Sequence, residues 1–196
     1  MSTRTTLSLL LLSLALLQQG CATAIVAGAA TGAAVAYDRR TVGSIVDVEA
    51  VEVKASAGIA TDNQLKGQAH INVTSMNGIV LLSGEAVSAE ARDRVLSQVR
   101  AIPSIRRIHN EVRIAPLSSF GERSLDSWYT TKVKSRLLFT RDLDSGRIKV
   151  VTENTTVYLM GLVTQREGEI AANSTAQVGG IGGVVKLFEY IDNPQQ

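Results

Sequence analysis

Two stretches of this chain alternate apolar and polar side chains with the two-residue period of a β-strand. They match each other. His70–Gly84 aligns with Arg147–Gly161, and the pairs Ile71/Ile148, Val73/Val150, Asn77/Asn154, Val80/Val157, Leu82/Leu159 and Gly84/Gly161 are identical. Asn77-Gly78 in the middle of the first stretch is a strong hairpin-turn signal, so each stretch predicts a β-hairpin. The second carries Thr155-Thr156 where a turn glycine is expected. The flanks repeat as well. A helix is predicted before each hairpin, over 47–59 and 125–140, with Val53-Lys54 matching Val133-Lys134. A second helix follows over 89–101 and 165–178, the latter opened by a Thr164…Glu167 capping box. A last strand is predicted near Arg107–Ile114 and Val184–Ile191. Each unit then reads α-β-β-α-β in about 70 residues, the size of a small domain. The β-α-β part should cross over right-handed, with both helices on one face of a small mixed sheet. The expected fold class is α+β, two such domains in tandem.

The first 37 residues follow another rule. Arg4 precedes an apolar run, Leu7–Leu17, and no charge occurs over 7–37. That is the layout of a secretory signal. Gln18-Gln19-Gly20 leads to Cys21, the only cysteine. A cysteine at the cut point resembles the lipobox of bacterial lipoproteins, although Gln18 stands where that motif usually has leucine. The resemblance implies removal of residues 1–20 and attachment of acyl chains such as palmitate to Cys21. An uncleaved membrane span is the alternative. Residues 21–44, rich in alanine and glycine, read as a tether. The first domain is expected over 45–115 and the second over 124–192. Between them 116–123 is read as a linker, from the run Pro116–Gly121.

A net charge of +2 on 196 residues is too balanced to imply nucleic acid. One cysteine, lipidated, leaves no disulfide framework. His70 and His109 have no metal spacing between them, and no serine sits in a nucleophile elbow. Asp62 and Asp142 recur after the first helix of each unit, where a carboxylate most often satisfies turn amides. Gly179–Gly183 precedes a strand, so it reads as a tight αβ turn and not as a phosphate loop. No catalytic residue, metal site or cofactor is expected, and the chain is read as a non-enzyme.

One helix stands apart. With Trp128 at zero and about 100° per residue, Phe139 falls near 20°, Lys132 near 40°, Arg136 near 80° and Ser135 near 340°. Tyr129, Val133 and Leu137 form a separate apolar face near about 100–180°. Tryptophan and phenylalanine beside cations suit a surface-docking helix. An equal alternative from these residues is that Trp128 packs on the other unit or on the linker, near Phe120.

The element order, the run Gly78-Ile79-Val80-Leu81-Leu82-Ser83-Gly84 and the ending Ile105-Arg106-Arg107-Ile108-His109-Asn110-Glu111-Val112 resemble the BON domain. Two such domains behind a lipidation signal resemble the outer-membrane lipoproteins of the DolP type, most closely over Asp126–Leu138. That resemblance implies a non-catalytic envelope protein, lipid-anchored at the outer membrane and facing the periplasm. It implies binding of anionic phospholipid through the first helix of the second BON domain, with Trp128, Lys132, Ser135, Arg136 and Phe139 as the contacting residues. It also implies a role in envelope integrity and enrichment at cell-division sites. The competing expectation is a protein-interaction module that partners the outer-membrane β-barrel assembly machinery.

Overall fold

A computed structural model describes residues 42–192. The segment expected as a signal, Cys21 and the tether up to residue 41 lie outside the described residues. Helix α1 spans Val42–Thr61, and strands β1 (Ala69–Met76) and β2 (Ile79–Ala86) form the first hairpin. Helix α2 (Ala89–Arg100) and strand β3 (Arg107–Ile114) complete the first unit. The second repeats it as α3 (Phe120–Leu138), β4 (Ile148–Glu153), β5 (Thr156–Val163), α4 (Gln165–Ala176) and β6 (Gly183–Tyr190). A short 3₁₀ turn, Ser145–Arg147, leads into β4.

The two sheets have the same plan. β2 lies between an antiparallel β1 and a parallel β3, and β5 lies between an antiparallel β4 and a parallel β6. The repeated glycines face the repeated isoleucines in register, Ile71 opposite Gly84 and Ile148 opposite Gly161. A β-carbon on Gly84 would lie 2.0 Å from the His70 carbonyl oxygen, and one on Gly161 2.7 Å from that of Arg147. The strands can approach only because no side chain stands there.

The caps are local and readable. Thr164 and Glu167 form the expected capping box at α4. Ser88 caps α2 by accepting from the Ala91 N–H. The connection between the units is shorter than 116–123, because α3 already begins at Phe120. Ser119 accepts from the Glu122 N–H while the Glu122 carboxylate accepts from the Ser119 N–H. That second capping box turns Phe120–Arg123 into helix. Similarly, α1 begins at Val42, a few residues before its predicted start.

Each sheet buries one face under its own helices. Val51 and Ala55 of α1 and Val95 and Val99 of α2 pack on Val80 and Leu82. Val133 and Leu137 of α3 and Ala171 of α4 pack on Val157 and Leu159. The opposite faces meet each other. Met76, Ile79 and Leu81 of the first unit bury against Tyr158, Met160 and Leu187 of the second. The layers are therefore helices, sheet, sheet, helices, and the two units share one apolar seam.

Polar groups rim that seam. Arg106 pairs with Glu189 at 2.9 Å, and Asn77 donates to the same carboxylate. Glu52 of α1 accepts from the Ser75 N–H at 2.6 Å and pairs with Lys149 at 2.6 Å. Lys149 in turn donates to the Ser75 carbonyl at 3.2 Å. Buried Glu85 is held by Arg113 at 2.9 Å. Buried Glu153 has neutral partners among the described residues, Asn72 at 2.8 Å and Ser83 at 3.3 Å, both from the first unit. Burial holds its carboxyl above the ordinary carboxylate value. Glu85 and Asp126 push it the same way, and the Asn72 and Ser83 bonds oppose the shift. Burial likewise pushes the Tyr158 hydroxyl up to about 12.

A carboxyl raised on folding binds its proton more tightly in the native state than in the unfolded chain. Its stabilising contribution is full below the unfolded value near 4.5 and is lost as pH rises through the folded value. Glu153→Gln should therefore be more stable than the native protein at neutral pH. The difference should shrink toward zero as pH falls to about 4.5. Urea unfolding across that pH range checks it, and a pH-independent difference would refute it.

Candidate functional site

Helix α3 presents the feature that most needs explaining. Its inner face is well determined. Val133 and Leu137 are buried in the second core. Thr130 donates to the Thr152 hydroxyl at 2.8 Å. Buried Asp126 accepts from the backbone N–H groups of Asn154 at 2.8 Å and Thr155 at 2.9 Å. This explains the missing turn glycine. Asn154 and Thr155 both have positive φ, 47° and 62°, as Asn77 and Gly78 do in the first hairpin. A β-branched residue is strained there, and the Asp126 carboxylate holds the turn in place while locking α3 to the hairpin.

The outer face exposes five large apolar side chains that no other described residue covers. Phe120 is 80%, Leu125 44%, Trp128 53%, Leu138 65% and Phe139 85% exposed. These five are more than half of the exposed large hydrophobics among the described residues. Phe139 is the C-cap residue, just past the last turn. It lies about 17 Å along the axis from Trp128, at a rise of about 1.5 Å per residue.

The expected residues fall into two groups. Trp128 and Lys132 touch, the ammonium lying 4.3 Å from the indole centroid and 5.7 Å from that of Tyr129. The two rings are themselves 5.2 Å apart and tilted. The Lys132 ammonium also donates to the Gly179 carbonyl at 2.9 Å, and the Arg136 guanidinium donates to the Gln177 side chain. Lys132, Ser135 and Arg136 thus line an open depression of about 650 Å³ against Gln177–Gly179. Gly180, at φ +98°, makes room there, since a β-carbon on it would lie 2.5 Å from the Tyr129 hydroxyl. Phe139 stands apart at the far end. Trp128 packs on its own domain's residues, and Phe120 is not among its ring partners.

Leu125 and Leu138 belong to the same surface without a sequence signal of their own, and so does Phe120, expected only as a linker neighbour of Trp128. Phe120 was hidden by the assignment of Pro116–Gly121 to a linker. The Ser119…Glu122 spacing carried the signal that would have found it.

The other polar candidates have structural partners. Asp62 accepts from the Gln64 N–H at 2.9 Å and pairs with Arg94 at 2.5 Å. The Arg94 hydrogen bond holds its carboxyl below the usual range. Asp142 pairs with Arg166 at 3.4 Å. His70 lines a cleft of about 460 Å³ between β1, α3 and β4. Among the described residues, no group of three His, Cys, Asp or Glu is placed to hold a metal. Also among them, no helix is long and apolar enough to cross a membrane.

The BON domain profile matches this chain twice, over residues 45–116 and 125–192. The chain belongs to the BON-domain family. Among BON relatives it is 34% identical over 183 residues to the outer membrane lipoprotein DolP of Haemophilus influenzae, spanning 93% of this chain and 95% of that protein. It is 34% identical over 154 residues to the 21 kDa hemolysin of Actinobacillus pleuropneumoniae, 79% of each chain. It is a dual-BON protein of the DolP type. Two solved structures of CdsD, a structural protein of the type III secretion system of Chlamydia trachomatis, are distant matches. They share 16% and 10% identity at TM-scores of 0.29 and 0.30, covering 73% and 71% of this chain and 63% and 96% of theirs.

The link from Asp126 to the second hairpin can be tested directly. Asp126→Ala leaves two turn N–H groups without their acceptor and should cost about 2–4 kcal/mol. Thr155→Gly relieves a strained β-branched residue at positive φ and should stabilise by about 1 kcal/mol after the backbone-entropy loss. Chemical denaturation of each variant checks both signs. A destabilised Thr155→Gly would mean that the threonine side chain, not strain, dominates at this turn.

Proposed function

We propose that this chain is a non-catalytic, lipid-anchored protein of the outer membrane, acylated at Cys21, facing the periplasm and supporting envelope integrity. Its second BON domain binds anionic phospholipid through α3. The observation that carries this reading is the run of five exposed apolar side chains along one rigid helix and its cap. Soluble surfaces scatter such residues singly, and a concentration of them on one helix marks a docking face. Each ring or leucine moved from water into lipid stabilises by up to about 1.5–3 kcal/mol. Lys132, Lys134 and Arg136 line the same helix, and a cation near an anionic leaflet adds about 1 kcal/mol. The similarity to an outer membrane lipoprotein supports the membrane as the surface concerned.

Acylation and the helix act in different ways. Two or more chains hold a lipoprotein stably, so the helix is not needed for attachment. It adds lipid selectivity, and the tether supplies the local concentration that a weak second contact needs. A preference of this kind supports enrichment at division sites.

Vesicle co-sedimentation of residues 38–196, which lack Cys21 and its acyl chains, with the native sequence and with Trp128→Glu, tests the reading. The native protein should bind anionic vesicles more than zwitterionic ones, and Trp128→Glu should lose most of that binding with its fold intact. Equal binding of the two proteins would remove Trp128 from the contact. Tight capture by a purified component of the barrel-assembly machinery, without lipid, would favour the protein-partner reading.

A further inference from the structure

The cleft of about 460 Å³ between β1, α3 and β4 has the size of a small-molecule pocket. It takes no part in the docking of α3, since neither Trp128 nor any other exposed large apolar side chain of that helix lines it. Glu153 does line it, although only 6% of that residue is exposed. The internal repeat shows that the fold does not require a carboxylate there. Asn77 and Asn154 match, so Glu153 holds the place of Met76, which is buried in the apolar seam. A buried carboxylate without a cation is costly. The hydrogen bonds from Asn72 and Ser83 both go to Glu153 Oε2. Among the described residues Oε1 has no partner, and it is an acceptor left open beside a cleft.

The rest of the lining has a polarity. β1 and β4 run in opposite directions across the seam, because Asn72 meets Glu153 while Ser75 meets Lys149. α3 is also antiparallel to β4, with Asp126 at Asn154 and Thr155 and with Thr130 at Thr152. His70 and Arg123, which both line the cleft, therefore lie beyond Glu153 at its hairpin-turn end. His70 is two residues from Asn72, ~7 Å along β1. Arg123 gives one N–H to the Ser118 carbonyl and keeps its charge and its other donors. Both Asp126 oxygens are taken by turn N–H groups, so they do not compete for a cation. The cleft thus sets a carboxylate oxygen and a pair of bases about 7 Å apart.

We propose that this cleft binds a small zwitterion of dipeptide length, with its ammonium on Glu153 Oε1 and its carboxylate between Arg123 and His70. A free α-amino acid is too short, because it carries both charges on one carbon. A dipeptide separates its α-carbons by about 3.8 Å, and its terminal charges lie one bond further out at each end. Thr74, Val151 and Thr152 line the remaining length with small side chains. The ligand supplies the cation that the buried carboxylate lacks.

The test is an NMR titration of the full chain in detergent micelles, followed at the Asn72 and His70 resonances. The probes are L-alanyl-L-alanine, its N-acetylated form and its C-terminal amide. The free dipeptide should shift both resonances, and blocking either terminus should weaken binding by about ten-fold or more. Glu153→Gln and Arg123→Gln should each weaken the free dipeptide to a similar extent. Glu153→Gln should leave the N-acetylated form unchanged. That variant is expected to be the more stable protein at neutral pH, so its loss of binding is not a loss of fold. A carboxylate that serves only the seam would alter stability and leave binding untouched, and this result would overturn the proposal. So would the absence of any shift up to about 10 mM dipeptide. Binding of 1,4-diaminobutane as tight as that of the dipeptide would also overturn it, by removing the role of Arg123 and His70.

Discussion

A three-stranded sheet with two helices covers only one of its faces, and the other must go somewhere. Here each unit solves the other's problem. Met76, Ile79 and Leu81 cannot be left in water, and neither can Tyr158, Met160 and Leu187. Back-to-back packing removes both sets at once. The internal repeat is therefore a thermodynamic pairing as well as a duplication. It also decides where function can sit. With both inner faces consumed by the seam, only helices and strand edges remain outward, and α3 is the helix on which exposed rings gather.

The two units are equivalent in backbone and different in surface. α1 uses Glu52 to hold its own β1 at Ser75 and the neighbouring unit at Lys149. α3 uses Asp126 to hold its own hairpin and leaves its outside apolar. The first helix secures the assembly and the second carries the exposed face. The division is visible residue by residue, and it gives a physical content to the divergence of two matched sequences.

Much of this was legible in the chain. The paired stretches with their matched isoleucines and glycines predicted both hairpins, both mixed sheets and the order of helices. Trp128 and Lys132 are four residues apart, so their contact follows from helix geometry. Other features depend on distance in sequence. Nothing near Lys132 or Arg136 announces that Gly179 and Gln177 will receive them. The sheet-to-sheet seam leaves a trace in the sequence. Ile79-Val80-Leu81-Leu82 and Val157-Tyr158-Leu159-Met160 are unbroken apolar runs. A strand with water on one face would alternate, so a continuous run means cover on both sides. At the α3 start, a proline and two serines suggested a loop and outweighed the cap that Ser119 and Glu122 form.

The Glu52–Lys149 pair has a consequence for life on a surface. Acyl anchors of the kind proposed here crowd chains into two dimensions, where an open strand edge is an invitation to join neighbouring sheets into fibres. β1 is such an edge. At Ser75 its N–H is taken by a carboxylate and its carbonyl by an ammonium, both from within the same molecule. The side chains stand in for the next strand, so that part of the ladder has no place left for a second chain to extend it.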